Sequence, residues 1–282
     1  MGARLIIVEG LPGSGKSTTA QLVYDILRDR GINAELYSEG NYNHPADFDG
    51  AAYFSSENFD ALMRRYPRSE DLLCRIKSRY CGGYVIPYRK AIEEDHISFE
   101  KELFEEITRN DIYELLLDIH IDLISSRWKN FTQSRIDEDK VYIFECCFIQ
   151  NPVTVTMIKA NFPKDVTVNY INGLAETIAP LRPVLIYVEQ KDIKVSFKRA
   201  VQSRPKEWFE GFSNYYLNQG YGYDNGLKGF DGVLKVLEER NSLEGEIYDS
   251  LKLIKYRIDN SDFNPEVLSK QVDSIIRQGL QL

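Results

Sequence analysis

The chain has 282 residues, which allows one large domain or two small ones. A chain of this length buries most of its unfolded surface without a disulfide or a metal to stabilise it. Hydrophobic residues make up 43% and charged residues 28%, and these ordinary values exclude a disordered or collagen-like chain. The 35 Lys and Arg against 43 Asp and Glu give a net charge of −8, so we expect no binding of nucleic acid through bulk electrostatics.

The cysteines and the first residues indicate the compartment. Cys74, Cys81, Cys146 and Cys147 form no C-x-x-C pair, so neither a zinc site nor a disulfide framework is expected. Reduced thiols are typical of a cytosolic protein. The start MGARLIIVEG is typical of a strand rather than a signal peptide, and no stretch approaches the roughly 20 apolar residues of a membrane span. We therefore expect a cytoplasmic protein without a membrane partner.

The first 40 residues predict a βαβ unit. Residues 5–8 are a continuous apolar run, typical of a buried parallel strand, and 10–15 form a glycine-rich loop. Apolar residues at helical spacing predict a helix over 17–30, and residues 34–38 predict a second strand.

A helical, aromatic-rich insertion is predicted next, at about 41–139. Strands are then expected at 141–144, 184–188 and 254–258, with two helices between 152 and 179 and a closing helix at 265–277, where Asn264 is a plausible N-cap. Residues 206–232 are rich in Gly, Tyr and Trp and indicate a mobile stretch, so a lid-like region is expected at about 199–232. The whole is interpreted as one α/β domain.

The loop carries the most specific motif in the sequence. Residues 10–17, GLPGSGKS, match G-x-x-x-x-G-K-[ST] in full, between an apolar strand and a periodic helix. Backbone N–H groups of such a loop surround phosphate oxygens, the lysine reaches the β- and γ-phosphates, and the hydroxyl takes one Mg²⁺ position. The predicted nucleotide-binding residues are Gly10, Leu11, Pro12, Gly13, Ser14, Gly15, Lys16, Ser17 and Thr18.

Two carboxylates follow predicted strands. Glu145 ends the strand at 141–144, where a carboxylate holds Mg²⁺ directly or through water, so Ser17 and Glu145 are the predicted metal ligands. Glu39 follows the second strand, where it could take the proton of an acceptor hydroxyl or orient that hydroxyl. Each has a simpler interpretation, a buried capping Glu at 145 and an exposed loop Glu at 39. For Glu9, directly before the loop, a structural role is favoured.

Basic residues later in the chain are candidates for charge stabilisation. Arg199 and Arg204 follow the strand at 184–188, and arginine near a transferred phosphoryl group speeds the reaction by orders of magnitude. They are five residues apart and would not share one helix face, but if the helix ends near Ser203, Arg204 can fold back as the chain bends at Pro205. A solvated basic helix end is the alternative. In the insertion, aromatic rings and cations indicate an acceptor pocket. Its candidate residues are His44, Arg79, Tyr84 and Arg89.

The segment IIVEGLPGSGKSTTA resembles the opening of thymidylate kinases and deoxynucleoside kinases, in which a Glu-Gly pair also precedes the loop. The segment PVLIYVEQKDIKVSFKRAVQSR is similar to their later strand, turn, helix and lid arginines. The resemblance implies an α/β, three-layer P-loop NTPase fold with a parallel five-stranded sheet of order 2-3-1-4-5 and a helical insertion that binds the acceptor. It also implies ATP and Mg²⁺ as cofactors, the Mg²⁺-binding acid at Glu145 and the base at Glu39.

The resemblance covers less than half of the chain, and the chain departs from the family in a longer insertion, in residues 149–152, which match no nucleoside-kinase signature, and directly after Glu145. Cys146 and Cys147 follow Glu145, where these kinases carry an arginine. A nucleoside or nucleotide acceptor and another alcohol, including an antibiotic, therefore both stay open. Kinases of this type are often dimers, so a homodimer is an expectation.

Three classes of function compete. The leading hypothesis is a small-molecule kinase, in which Lys16 holds phosphates, Ser17 and Glu145 hold Mg²⁺, Glu39 activates the acceptor, and Arg199 or Arg204 stabilises charge. The second is a nucleotide-driven switch or binding ATPase that acts through a protein partner. A nucleic-acid-dependent motor is disfavoured by the charge of −8.

Overall fold

The computed structural model of the protein describes residues 2–279 and separates into two compact units. The first unit contains the chain up to Glu39 and from Thr132 onward, and the second contains Gly40–Phe131. The insertion predicted at 41–139 overlaps the second unit, and its role in acceptor binding stays a prediction. Among the described residues, no helix is both long enough and apolar enough to span a membrane.

The strands belong to two sheets. In chain order they are β1 (Leu5–Glu9), β2 (Ala34–Tyr37), β3 (Ala52–Ser55), β4 (Ser78–Tyr80), β5 (Gly83–Ile86), β6 (Val141–Glu145), β7 (Val184–Glu189) and β8 (Ile254–Asp259). The first unit contains a five-stranded parallel sheet of order β2-β6-β1-β7-β8.

This strand order differs in numbering from the predicted 2-3-1-4-5. The difference arises because β3, β4 and β5 form a sheet of their own in the second unit. When only the strands of the parallel sheet are numbered in chain order, their spatial order is 2-3-1-4-5. An α/β architecture with a five-stranded parallel sheet is thus confirmed.

Helices accompany both sheets. In chain order they are α1 (Lys16–Asp29), α2 (Ser56–Arg65), α3 (Glu70–Ile76), α4 (Tyr88–Glu93), α5 (Lys101–Arg109), α6 (Leu117–Arg135), α7 (Gln150–Val153), α8 (Lys164–Ile178), α9 (Ile193–Gln202), α10 (Lys206–Leu217), α11 (Gly220–Asp224), α12 (Gly229–Ser250) and α13 (Pro265–Gly279). A π-helical segment, Thr154–Lys159, follows α7, and such segments are frequent at functional sites.

The first unit is built on a continuous apolar core. Strands β1 and β6 are buried at every position, which is why their sequences are apolar runs rather than alternating patterns. On one face of the sheet α1 and α13 pack with Val23, Leu27, Val272 and Ile276. The predicted cap of α13 is confirmed, since Asn264 Oδ1 accepts hydrogen bonds from the backbone N–H groups of two residues in its first turn.

The second unit contains strands that the sequence analysis missed. The insertion was expected to be helical, but β3, β5 and β4 form an antiparallel sheet there. These strands are only three or four residues long, too short for alternation to be visible in the sequence. Gly83 permits the pairing, because a Cβ at this position would lie 2.2 Å from Phe54 O.

Residues 206–232 are also more regular than predicted. The stretch expected to be mobile forms α10, α11 and the start of α12. Aromatic side chains at helical spacing explain this, because Phe197 of α9 packs against Trp208, Phe212 and Phe230. Whether this region closes over a ligand stays a prediction.

Candidate functional site

The glycine loop lies between β1 and α1, at the carboxyl end of the parallel sheet. Gly10 and Gly15 have φ angles of 148° and 98°, which glycine adopts without strain. A Cβ would lie 2.3 Å from Val188 O at Gly10 and 2.5 Å from Asn260 Nδ2 at Gly15. The two glycines therefore let neighbouring strand ends approach the loop closely.

Two amide side chains hold the loop from the outside. Asn260, which follows β8, donates to Ser14 O at 2.9 Å. Gln190, which follows β7, donates to Ser14 O at 3.0 Å and to Asn260 O at 2.8 Å. The loop is thus fixed by the sheet before any ligand binds, which lowers the ordering cost of binding.

Lys16 is enclosed by the loop and by acidic side chains. Its Nζ donates to Leu11 O at 3.2 Å, and the residue is buried. Burial alone would lower the pKa of Lys16, but nearby negative groups, among them Glu39 and Glu145, raise it above the usual range. The lysine therefore carries its positive charge at neutral pH.

Ser17 and Glu145 meet as predicted for a metal site. Ser17 Oγ donates to Glu145 Oε1 at 2.5 Å, and Glu145 is buried at the end of β6. A hydroxyl and a carboxylate are hard oxygen ligands of the kind that Mg²⁺ prefers, so these residues fit that ion. The donor atoms of Glu39, Glu145 and Cys146 also lie within 4.8 Å of one another. Their role as ligands remains a prediction.

Glu39 lies beside Glu145, as its position after β2 predicts. Its backbone N–H donates to Glu145 Oε2 at 3.4 Å. Its carboxylate accepts from Gln150 Nε2 at 3.0 Å and from Cys146 Sγ at 3.4 Å. The structure therefore brings the predicted base next to the predicted metal ligand.

These groups border a cavity of about 1260 Å³. Ordinary small-molecule sites measure roughly 300–1,000 Å³, so this one has room for two ligands. The predicted residues along its wall are Pro12, Gly13, Gly15, Lys16, Ser17, Thr18, Glu39, Arg199 and Arg204, and further lining residues include Gln150, Thr154, Trp208, Phe212, Tyr215, Tyr216, Arg240, Asn260 and Phe263. Gly10, Leu11, Ser14 and Glu145 are not among the lining residues, although they support them.

Arg199 and Arg204 reach the cavity from two positions. Arg199 lies in the last turn of α9, and its guanidinium is 3.7 Å from the centre of the Phe263 ring. Arg204 follows α9 and stacks on Trp208 at 4.2 Å. The bend at Pro205 brings Arg204 back to the cavity, as the sequence predicts. Both cations lie over aromatic faces, where a cation–π contact holds them in place.

Glu9 has a structural role that sequence reasoning favoured without identifying its partners. Its buried carboxylate accepts from the backbone N–H groups of Phe148, Ile149 and Gln150 at 2.8, 2.9 and 3.0 Å. Burial nevertheless raises the pKa of Glu9 to about 7, against the lowering effect of these bonds. Glu9 thus fixes the chain turn that follows Glu145.

A buried charged cluster lies at the cavity wall, and sequence reasoning missed it. Arg240 Nε donates to Glu244 Oε1 at 2.6 Å, and both side chains are fully buried. The same guanidinium donates to Tyr216 at 2.7 Å and to Gln150 O at 3.1 Å, and Tyr187 donates to Glu244 at 2.6 Å. The available signal was an Arg and a Glu four residues apart on the apolar face of α12.

The four predicted acceptor-binding residues all belong to the second unit. His44 is buried rather than exposed on a polar loop, and its Nδ1 accepts from Ala46 N at 3.1 Å. Burial, and secondarily Arg127, lower the pKa of His44 to about 3, so it is neutral. His44 is therefore not part of a solvated polar loop, and its role in acceptor binding stays a prediction.

Of the remaining three candidates, Arg79 and Arg89 are exposed and Tyr84 is partly buried. Arg79 and Tyr84 are paired across β4 and β5. The Tyr84 ring packs against Phe59 and beneath the Lys77 ammonium. The side chain of Arg89 lies over Gly50. Their role in acceptor binding stays a prediction.

Comparison with known proteins gives two partial similarities. No protein-family model matches the chain. A magnesium-chelatase subunit ChlI from Guillardia theta is 27% identical over 145 residues, which cover 46% of this chain and 40% of that protein. A probable adenylyl-sulfate kinase from Aeropyrum pernix is 30% identical over 118 residues, which cover 38% of this chain and 63% of that protein.

The chain spans less than two thirds of either relative. Neither of these two proteins is named as a thymidylate kinase or a deoxynucleoside kinase, so they support only the broader part of that resemblance. Together with the parallel sheet and the glycine loop, the two similarities support a P-loop NTPase with a nucleotide-binding, kinase-like or ATPase function.

Proposed function

We propose that the protein is a kinase that transfers the γ-phosphoryl group of Mg-ATP to a hydroxyl of a small acceptor. The observation that carries this is that Lys16, Ser17 and Glu39 line one cavity, while Glu145 accepts hydrogen bonds from Ser17 and from the backbone of Glu39. A nucleotide site alone needs the loop and the metal ligands. The additional carboxylate of Glu39, and the room for a second ligand, support an acceptor.

In the proposed reaction, the acceptor hydroxyl gives its proton to a Glu39 oxygen as its own oxygen bonds to the γ-phosphorus. The bond from that phosphorus to the β,γ-bridging oxygen breaks, and ADP leaves with the electron pair. Lys16 neutralises charge on the phosphates, and Arg199 and Arg204, which also line the cavity, add to this neutralisation. Mg²⁺, held through Ser17 and Glu145, would supply charge neutralisation on the phosphate oxygens.

The acceptor is proposed to lie against the aromatic face of α10. Trp208, Phe212 and Tyr215 line the cavity at helical spacing, and Tyr216 stacks on Phe212 at 4.0 Å between ring centres. Half-buried aromatic rings favour a ligand with an apolar or planar part. This surface belongs to the same unit as the phosphate loop.

A second candidate is a nucleotide-driven switch that acts on a protein partner. The similarity to a protein named as a subunit of magnesium chelatase favours it. The two candidates differ in one property: a kinase needs a small acceptor for turnover, whereas a switch hydrolyses ATP without one.

The test is release of ADP from Mg-ATP with and without a panel of acceptors, followed by mass analysis of the products. The panel contains nucleosides, nucleoside monophosphates, hydroxylated antibiotics and adenylyl sulfate, the last because of the name of the second relative. The proposal predicts acceptor-dependent ADP release and an acceptor heavier by one phosphoryl group. ADP release that no acceptor changes would favour the switch.

A further inference from the structure

The carboxylate of Glu39 is held on both oxygens, although the residue lies on an exposed chain segment beyond β2. Gln150 Nε2 donates to Oε1 at 3.0 Å, and Cys146 Sγ donates to Oε2 at 3.4 Å. A long exposed side chain ordinarily samples several rotamers. Two donors from one neighbouring segment, one on each oxygen, restrict it to a single orientation.

Gln150 is itself fixed by charged groups that are buried. The residue is 8% exposed. Its backbone N–H donates to Glu9 Oε2 at 3.0 Å, and its carbonyl accepts from Arg240 Nη2 at 3.1 Å and from Thr154 Oγ1 at 2.7 Å. The backbone from which the amide side chain extends is therefore tied to β1 and to α12.

Cys146 is fixed by an uncommon backbone conformation. Its φ is 71°, in the left-handed region that a residue with a Cβ rarely adopts. Its N–H donates to Val8 O at 3.3 Å, and its carbonyl accepts from Asn151 N at 3.1 Å. Such conformations persist only where the surrounding structure imposes them, and they cluster at functional sites.

We propose that Gln150 and Cys146 are positioning residues that orient the Glu39 carboxylate toward the acceptor hydroxyl. The inference rests on the proposed function, in which Glu39 receives the hydroxyl proton. Each carboxylate oxygen has two lone pairs, so one donor on each leaves a lone pair to face the acceptor. Fixing that lone pair in advance contributes to rate through orientation rather than through binding.

The test compares variants in the wild-type and Glu39→Gln backgrounds. Gln150→Leu removes the donor at similar volume, and we expect it to lower kcat about 10- to 100-fold with the acceptor KM and the ATP KM changed less than about 3-fold. In the Glu39→Gln background the same substitution should lower kcat less than about 2-fold, because the group that it orients is gone. A role in packing alone would lower kcat equally in both backgrounds.

The cysteine is tested by conservative replacement. Cys146→Ser keeps a donor and should retain kcat within about 3-fold, whereas Cys146→Ala should lower it by about 10-fold. Cys147→Ala, which removes the same group from the adjacent buried position, is the control for packing and should leave kcat unchanged. Equal effects of Cys146→Ser and Cys146→Ala would overturn the role of the thiol.

A stability measurement tests the contact without any acceptor. The shift in the urea midpoint caused by Gln150→Leu together with Glu39→Leu should be smaller than the sum of the single shifts, because the two side chains share one hydrogen bond. Additive shifts overturn the inference and leave the proposed function intact. If the wild-type enzyme shows no acceptor-dependent transfer, the proposed function is overturned, and the positioning role of Gln150 and Cys146 is overturned with it.

Discussion

Lys16 Nζ donates to the carbonyl of Leu11, and Glu39 and Glu145 are among the negative groups that raise the pKa of the lysine. In the proposed complex with a nucleotide, phosphate oxygens would be the partners of Lys16, because they carry more charge and would be surrounded by the loop N–H groups.

Lys16→Ala should abolish most of the transfer and leave the fold unchanged. Removing one charge that stabilises developing phosphate charge costs about 10²- to 10³-fold in kcat. Lys16 donates to the carbonyl of Leu11 in its own loop, so circular dichroism should show the wild-type fold. The urea midpoint should fall, because Glu39 and Glu145 lose a nearby positive charge. A variant with wild-type turnover would contradict the site assignment.

Glu9 gives a prediction about pH. The carboxyl pKa rises from 4.5 in the unfolded chain to about 7 in the fold, so the folded protein binds this proton more tightly. The stabilisation is complete below pH 4.5 and is lost as the pH rises to about 7. Relative to Glu9→Gln, which cannot titrate, the wild type should lose about 3 kcal/mol of unfolding free energy across this range.

Urea titrations at pH 4.5, 6 and 8 measure this difference. Glu207→Gln, a substitution at an exposed glutamate of α10, is the matched control and should follow the wild type at each pH. A constant difference between wild type and Glu9→Gln would show that Glu9 has the same pKa in both states.

At the residue scale, the sequence predicts functional residues that lie in one contiguous motif. It does not predict contacts between residues that are far apart along the chain. Lys16 and Ser17 belong to one contiguous motif, so spacing alone identifies them. The partners of Glu9 lie 139–141 residues away along the chain. No sequence pattern identifies Gln150. Its hydrogen bond to Glu39 forms only because the segments that follow the neighbouring strands β6 and β2 lie side by side in the fold.

At the scale of elements, the Arg240–Glu244 pair joins α12 to α7, α10 and β7. Its guanidinium contacts Gln150 and Tyr216, and its carboxylate contacts Tyr187. Breaking a buried pair from one side leaves an uncompensated charge, which costs about 3–5 kcal/mol. The pair therefore fixes two walls of the cavity relative to each other.

Arg240→Met should lower the unfolding free energy by about 3–5 kcal/mol, measured by urea denaturation. Arg240→Met combined with Glu244→Leu should recover more than half of that loss, because no buried charge is then left unpaired. Arg277→Met removes a surface pair of the same i, i+4 spacing with Asp273 and should cost less than about 1 kcal/mol. Equal losses of unfolding free energy in Arg240→Met and Arg277→Met would show that the buried pair stabilises the fold no more than a surface pair does.

The aromatic face of α10 gives a prediction about the acceptor. Tyr215→Leu should raise the KM of the acceptor about 10-fold and leave that of ATP unchanged, since ring contacts contribute about 0.5–1.5 kcal/mol beyond their area. Tyr223→Leu is the control, because Tyr223 is 69% exposed and lies outside the cavity lining. If the two variants have the same acceptor KM, the acceptor does not lie on this face.

Elements differ in how well the sequence predicts them. Strands β1, β6 and β7 are continuous apolar runs and are predicted within one or two residues. Strands β3, β4 and β5 are missed, because their pairing joins residues as far apart as Ala52 and Ile86 and does not depend on local pattern. Helix α10 is missed because its glycine and aromatic residues are also typical of loops.

At the scale of the whole molecule, the first unit holds the loop, the predicted metal ligands, the predicted base and the cavity. The net charge of −8 does not describe this cavity, whose lining carries Lys16, Arg199, Arg204 and Arg240 against Asp25 and Glu39. Composition alone therefore does not predict which charges line the cavity, because the fold selects them.

Transfer of the γ-phosphoryl group to a small molecule is followed by the label from [γ-³²P]ATP after incubation with Mg²⁺, the protein and the acceptor panel. We expect label in one class of acceptor, with Lys16→Ala and Glu39→Gln both reducing it. Label recovered only as inorganic phosphate, at a rate that no acceptor changes, would show that the protein is not such a kinase.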